Sequence, residues 1–165
     1  NLEILIPLAK TVLKKNMNFC FIITIDKNSG SMAKRFLKDI EINKLTHTII
    51  NIGHVPKEKI GNIYKKIDAV FMPTLLESYG FPYIEAIFYK KHIFTSKLDL
   101  SVEVCQDMAY YFNPNDIKSI ICSFKEFTLN QKLKTSKIKK MKKYKLPNAE
   151  EMIRRYEAVM GTNNK

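Results

Sequence analysis

Apolar residues recur along the chain with two different periods that alternate. Leu2, Leu5, Ile6, Ala9, Val12 and Leu13 fall on one helical face, so the sequence opens inside a helix pattern. The continuous apolar run FCFIITI over 19–25 follows, bounded by Asn18 and Asp26. Such runs mark strands buried on both faces of a parallel sheet. Turn chemistry over 27–30 separates it from a second helical pattern at Met32, Phe36, Leu37 and Ile40, and 48–52 reads as the next strand. A helix with Ile60, Ile63, Tyr64 and Ile67 inward leads to a third strand over 68–72, ended by Pro73. The pattern predicts a helix from about Pro82 to Tyr89 and short strands over 92–95 and 109–112, with Tyr110 and Tyr111 as core strand residues. Asn115 or Asp116 then caps a helix carrying Ile117, Ile120, Ile121 and Phe124. The last forty residues read as helical with a break at Leu146-Pro147, leaving a C-terminal helix over 147–160.

Strand–helix alternation of this kind predicts an α/β fold, a Rossmann-like parallel sheet with helices on both faces, in a single domain over 1–165. Because the alternation starts on a helix, the expectation is a sheet lacking its first strand, and a chain that is part of a longer two-domain protein.

Composition narrows the class. With 165 residues, 45% apolar, ten Phe and eight Tyr, the chain can build a core and is not a solvated tail. Five Gly and six Pro exclude collagen-like and linker-like sequences. Apolar stretches fall short of 18 residues and no secretory leader opens the chain, which predicts a cytoplasmic location. Cys20, Cys105 and Cys122 lie in apolar neighbourhoods and are expected to be reduced core thiols. His47, His54 and His92 are too scattered for a metal site, so neither a metal nor a tightly bound cofactor is expected.

The charge, 28 Lys+Arg against 16 Asp+Glu, or +12, is concentrated: eight lysines and no acid fall within 132–145. That segment is either a solvated helix face or a basic amphipathic surface for anionic lipid, reached through Lys132, Lys139 and Lys143. Nucleic acid is unlike its pattern, which offers no helix-turn-helix, zinc or aromatic platform.

Candidate chemistry lies in DAVFMPTLLESYGFPYIEA, 68–86. A buried strand ends, a short loop carries Glu77 and Gly80, and a helix starts near Pro82. Ligands of open parallel sheets bind beyond the carboxyl ends of the strands, which puts Glu77 in the binding region. Gly80 permits close approach or a positive φ, and Pro82 suits the first helical turn. The N–H groups of that turn suit a pyrophosphate, and Glu85, placed in the same turn, can accept from a diol. Ordinary helix-dipole chemistry would also put a Glu there. Paired carboxylates serve glycoside hydrolysis too, but the helix placement gives that reading no support.

Glu77-Ser-Tyr-Gly-Phe-Pro-Tyr-Ile-Glu85-Ala86 resembles the Glu-x7-Glu signature of family 4 glycosyltransferases of the GT-B fold. Pro73 and Thr74 precede it at the matching spacing, as do Gly53-His-Val-Pro56 and the strand 69–73. Ser96-Lys-Leu, Glu103-Val104 and Phe112-Asn-Pro-Asn-Asp116 resemble later family motifs in the right order. The resemblance implies the C-terminal, nucleotide-sugar-binding half of a retaining transferase. By it, Glu85 would hold the ribose hydroxyls and Glu77 the donor sugar. Gly80 and Phe81 N–H groups would hold the diphosphate, with Ser78 and Tyr79 on the same loop. Gly53, His54 and Val55 would border the base, and Glu103 is a weaker match. The acceptor would be a glycan or a lipid-linked sugar, as in bacterial surface polysaccharide synthesis.

Two departures stand out. The family's glycine in Ala-x-x-x-Gly after the motif helix is replaced within Tyr89-Lys-Lys-His92, and its glycines after Glu-Val are absent from 105–109. The diphosphate-pairing Arg and Lys of the family would precede Asn1, so the isolated chain is expected to bind nucleotide weakly and to transfer nothing. The remaining alternatives are half of a nucleotide-sugar 2-epimerase and a basic module for RNA or anionic membrane.

Overall fold

The computed structural model describes residues 1–77 and 80–145. The helix expected over 147–160 therefore lies outside the described residues. After a 3-10 turn (Leu2–Ile4), the elements are α1 (Leu5–Lys14), β1 (Phe21–Ile23), α2 (Ser31–Ile42), β2 (Ile49–Asn51), α3 (Lys57–Lys66) and β3 (Ala69–Met72). Then follow α4 (Phe81–Phe88), β4 (His92–Ser96), α5 (Asp99–Cys105), β5 (Ala109–Phe112), α6 (Ile117–Leu129) and α7 (Gln131–Lys143). The expected α/β alternation is present, and every strand pair is parallel.

One sheet was expected; two sets of ladders are observed, β1–β2 and β3–β4–β5. They nevertheless belong to one layer. Side chains of a strand alternate between faces, and here the alternation is shared. Phe21 and Ile23 of β1, Ile49 of β2, Phe71 of β3, Phe94 of β4, and Tyr110 and Phe112 of β5 all enter one core with α1, α2 and α6. Val70, Met72, Ile93, Ala109 and Tyr111 face the opposite core, built with α3, α4, α5 and α7. Helices thus cover both faces of β3–β4–β5 and one face of β1–β2.

Three expectations need correction. The run 19–25 forms a strand only at Phe21–Ile23. Phe19 leaves it to stack on Phe124 at 4.5 Å, and the Ile25 backbone is held by the Asn51 side chain instead of a ladder. Nor is this strand buried on both faces: Ile22 is 46% and Ile50 42% exposed, because no described helix covers the outer side of β1–β2. Of the cysteines, only Cys105 is a core thiol, its pKa raised to about 12 by burial. Cys20 and Cys122 are exposed; Cys20 alternates with the inward Phe21, and Cys122 falls between the inward positions of α6.

Helix ends explain one departure from the family pattern. Lys90 has φ +55°, its N–H donates to Ile87 O, and Lys91 N–H donates to Ala86 O, which is a Schellman closure of α4. Lys90 stands where the family sequence has glycine, and it adopts the glycine conformation. Asn16 and Lys44 close α1 and α2 with the same pair of bonds. At the other end of α6, Asp116 Oδ1 accepts from Lys118 N–H at 2.8 Å.

His92 begins β4 with its ring against Phe127 (4.9 Å) and Tyr110 (6.0 Å), and burial, aided by nearby Lys134, lowers its pKa to about 4. Unfolded, it takes its proton near the ordinary 6.5. Between those values the unfolded chain binds more protons, so the stability that neutral His92 supports is present above pH 6.5 and is lost as pH falls toward 4. Discounted for partial exposure, the effect is about 1 kcal/mol. Urea titrations of wild type and His92→Gln at pH 4.5 and 7 should show a smaller acid loss in the variant. Lys90→Gly should raise stability by about 1 kcal/mol, since glycine adopts positive φ without the side-chain clash. The same titration reads that gain as a higher midpoint at unchanged slope.

Candidate functional site

The carboxyl ends of the parallel strands collect the candidate residues at one end of the sheet layer. β3 ends at Met72, Pro73 is buried, and the chain reaches α4 through Gly80. Gly80 is the N-cap of α4 at φ +65°, and a Cβ there would lie 2.9 Å from Tyr83 Cδ2. Both the conformation and the space demand glycine. Pro82 follows in the first turn, as expected, and contributes no N–H. Tyr83 N–H donates back to Gly80 O at 2.9 Å. Gly80 and Phe81 thus stand at the helix start, ahead of Pro82. The Gly80 N–H donates to Glu77 Oε1 at 3.3 Å, so a carboxylate already sits at the positive end of the helix dipole.

Glu85 is not in the first turn. Since α4 begins at Phe81, Glu85 is its fifth residue, and its carboxylate is directed across to α3. There the Tyr64 hydroxyl donates to Glu85 Oε2 at 2.8 Å. Tyr64 is 8% exposed and stacks on Tyr89 at 5.1 Å. Burial first, and the Glu85 hydrogen bond second, raise its phenol well above the ordinary value, so it remains a donor. Gly61 on α3 leaves the space taken by the Tyr89 hydroxyl. One tyrosine thus holds the carboxylate, and a second stacks on the first.

The loop after β2 is fixed by Asn51. Its side-chain amide bonds both the N–H and the C=O of Ile25 at 3.0 Å, and Oδ1 also accepts from Gly53 N–H at 3.2 Å. Gly53 has φ +75°, His54 is exposed and Val55 half-buried. Beneath α4, the fully buried Tyr83 shares a 2.8 Å hydrogen bond with Thr95 Oγ1, seating the helix on β4.

Glu77, Gly80, Phe81 and Glu85 are therefore gathered about the start of α4, whereas Gly53, His54 and Val55 follow β2, at the same end of the strands but beyond β1. Ser78 and Tyr79 lie outside the described residues. Glu103 is elsewhere: exposed on α5, it lines a cavity of about 560 Å³ with Gln106, Asp107, Lys140 and Lys143. The larger cavity, about 730 Å³, runs between β1 and β3 and has Tyr64, Pro73, Pro82 and Glu85 among its walls. Asn51, Tyr64 and the Tyr83–Thr95 pair were not singled out from sequence as site residues. Only the inward spacing of Tyr64 hinted at its place.

The lysines of α7 are divided. Lys132, Lys139 and Lys143 are exposed, whereas Lys137 is buried and donates to Asp107 O (2.9 Å) and Ala109 O (2.6 Å). Lys140 pairs with Asp107, and Lys134 lies 3.8 Å over the Phe127 ring. Among the described residues there is no three-ligand cluster for a metal ion and no helix long and apolar enough to cross a membrane.

The family profile described as "Glycosyl transferases group 1" matches residues 1–145. No curated protein matches the chain in sequence. Among solved structures, a glycosyltransferase from Rickettsia africae ESF-5 superposes with a TM-score of 0.66 at 18% identity, covering 98% of this chain and 45% of that one. TarM gives a TM-score of 0.68 at 20% identity, covering 98% and 31%. The C-terminal domain of a group 1 family protein, LpcC, from Francisella tularensis gives 0.62 at 18% identity, covering 83% and 73%. At these identities the structures share the fold, and this chain spans less than half the length of the first two.

The Gly80 geometry gives a direct test. Gly80→Ala should destabilise the chain by about 1–2 kcal/mol, through left-handed strain and the Tyr83 contact. A thermal scan that left the midpoint unchanged would contradict this account of the loop.

Proposed function

Given that this chain belongs to the group 1 glycosyl transferases, we propose that it is the donor-binding half of a retaining, nucleotide-sugar-dependent enzyme of the family 4 type. The observation that carries the reading is the pair Glu77 and Glu85 flanking the left-handed Gly80, at the carboxyl end of β3. Glu85 accepts from the ribose hydroxyls. Tyr64 fixes one of its oxygens, which holds the carboxylate in one orientation and preserves acceptor capacity for a diol. The Gly80 and Phe81 N–H groups face the diphosphate, and Gly53, His54 and Val55 border the base. Glu77 gives up its hydrogen bond to Gly80 as the diphosphate arrives and turns to the hydroxyls of the donor sugar.

In the transfer, the bond from the anomeric carbon to the diphosphate oxygen breaks while an acceptor oxygen bonds on the same face. The diphosphate leaves with the electron pair, its departing oxygen takes the acceptor hydroxyl's proton, and its charge is stabilised by N–H dipoles and cations. Two backbone donors are a small part of that requirement, since Pro82 supplies none. The cations, the acceptor site and any general base come from other parts of the protein, and the isolated chain binds weakly and transfers nothing. Its acceptor is a glycan or a lipid-linked sugar of surface polysaccharide synthesis, with Lys132, Lys139 and Lys143 available to an anionic membrane at the cytoplasmic side.

Saturation-transfer NMR of the chain with UDP, GDP, ADP and an RNA oligomer tests this. The expected result is signal to one nucleotide, strongest on ribose and abolished in Glu85→Ala. Signal confined to RNA and indifferent to Glu85 would overturn the reading in favour of the lysine face.

A further inference from the structure

Two helix faces meet beside Glu85, and each presents a pair of residues one turn apart. On α3 the pair is Gly61 and Tyr64; on α4 and its C-cap it is Glu85 and Tyr89. The pairs engage crosswise. The Tyr64 hydroxyl donates to Glu85 Oε2 at 2.8 Å, and the Tyr64 ring lies on that of Tyr89, 11° from parallel with centroids 5.1 Å apart. α4 therefore holds Tyr64 twice, the hydroxyl through a carboxylate and the ring through a second ring.

Tyr89 is itself held from several sides. Phe88 meets its ring edge-on at 5.0 Å. The left-handed Lys90 turns the chain directly after it, and Lys91 Nζ donates to Lys65 O at 3.3 Å, tying the end of α4 to the end of α3. Gly61 completes the seat. Its place inside α3 demands no special backbone, so space is what requires glycine: a Cβ there would overlap the Tyr89 hydroxyl, and the three atoms nearest to it all belong to the Tyr89 side chain. Glycine within a helix weakens it relative to alanine. Helix stability is thus given up to seat one side chain. Tyr64 and Glu85 line the larger cavity and Tyr89 does not, so Tyr89 reaches whatever enters only through Tyr64.

We propose that Tyr89 is a positioning residue for ribose binding: seated against Gly61 and stacked on Tyr64, it keeps the Tyr64 hydroxyl on Glu85 and so fixes the direction in which that carboxylate meets a diol. The inference rests on the donor reading above and extends it to a residue that touches no ligand. A carboxylate free to turn must be ordered by each incoming diol, whereas one already held presents its remaining acceptor sites without that loss.

The test is Gly61→Ala, which displaces Tyr89 while leaving Glu85, Tyr64 and the loop after β3 unaltered. NMR titration with UDP, GDP and ADP reads affinity, and the Cζ resonance of Tyr64 reads its hydrogen bond without nucleotide. Gly61→Ala should weaken nucleotide binding about three- to tenfold and move the Tyr64 resonance. Its thermal midpoint should stay at or above that of the wild type, because alanine favours the helix. Adding Tyr89→Phe removes the overlapping hydroxyl and should recover both signals. In a Tyr64→Phe background, Gly61→Ala should cost no further affinity. Should Gly61→Ala not fold, Tyr89→Leu removes the ring without touching α3 and should give the same loss. Unchanged affinity in these variants, or a loss in Gly61→Ala that Tyr89→Phe does not recover, would overturn the role of Tyr89 alone, the donor reading being upheld by wild-type binding that Glu85→Ala abolishes. A wild type that binds none of the three nucleotides would overturn the donor reading and this role with it.

Discussion

Phe124 of α6 touches four other rings. Phe19 stacks on it at 4.5 Å, Phe94 meets it edge-on at 5.0 Å, and Phe71 and Phe21 approach to 5.7 and 6.2 Å. Those partners come from the lead-in to β1, from β1 itself, from β3 and from β4. One aromatic side chain on one helix therefore ties together two sheets that share no backbone ladder among the described residues. Offset and edge-to-face contacts of this kind add about 0.5–1.5 kcal/mol each beyond simple burial. Phe21 and Phe71 also meet directly, their rings 5.8 Å apart, so both sheets share one aromatic cluster.

That alignment matters for the candidate site because its parts follow strands of both sheets. Gly53 to Val55 follow β2, whereas Glu77, Gly80 and Glu85 follow β3. The Asn51 amide secures the first group to β1, and the Tyr64–Tyr89 stack secures the second to α3. Each half of the candidate site has its own anchoring contacts, and the aromatic core lies between the strands that carry them.

Much of the fold was legible because parallel strands leave a plain trace. Buried on both sides, they read as unbroken apolar runs, and β3, β4 and β5 appear where those runs occur. The run over 19–25 misled because Phe19 and Ile25 satisfy themselves with a ring stack and a side-chain clamp, neither of which has a periodic signature. The glutamate pair was legible through its spacing about Gly80. Its orientation was not: one residue of uncertainty in a helix start rotates a side chain by about 100°, enough to move Glu85 from the helix end to Tyr64. Glu103 was placed by motif order alone, and order along the chain does not determine which cavity a helix face meets. The cysteines show the same limit, since a small thiol follows its neighbours' pattern without declaring its own side.

Glycine is scarce here, five in 165 residues. Helix ends that would usually take one are closed by Asn16, Lys44 and Lys90 in left-handed conformations. In such a background the residue itself becomes informative. Where a side chain can be tolerated at modest strain, this sequence uses one; at Gly80 the left-handed backbone and the Tyr83 ring together exclude it, whereas at Gly53 no neighbour lies within 4 Å of where a Cβ would stand. The two glycines therefore differ: one is fixed by the packing of α4, and the other leaves the end of β2 open.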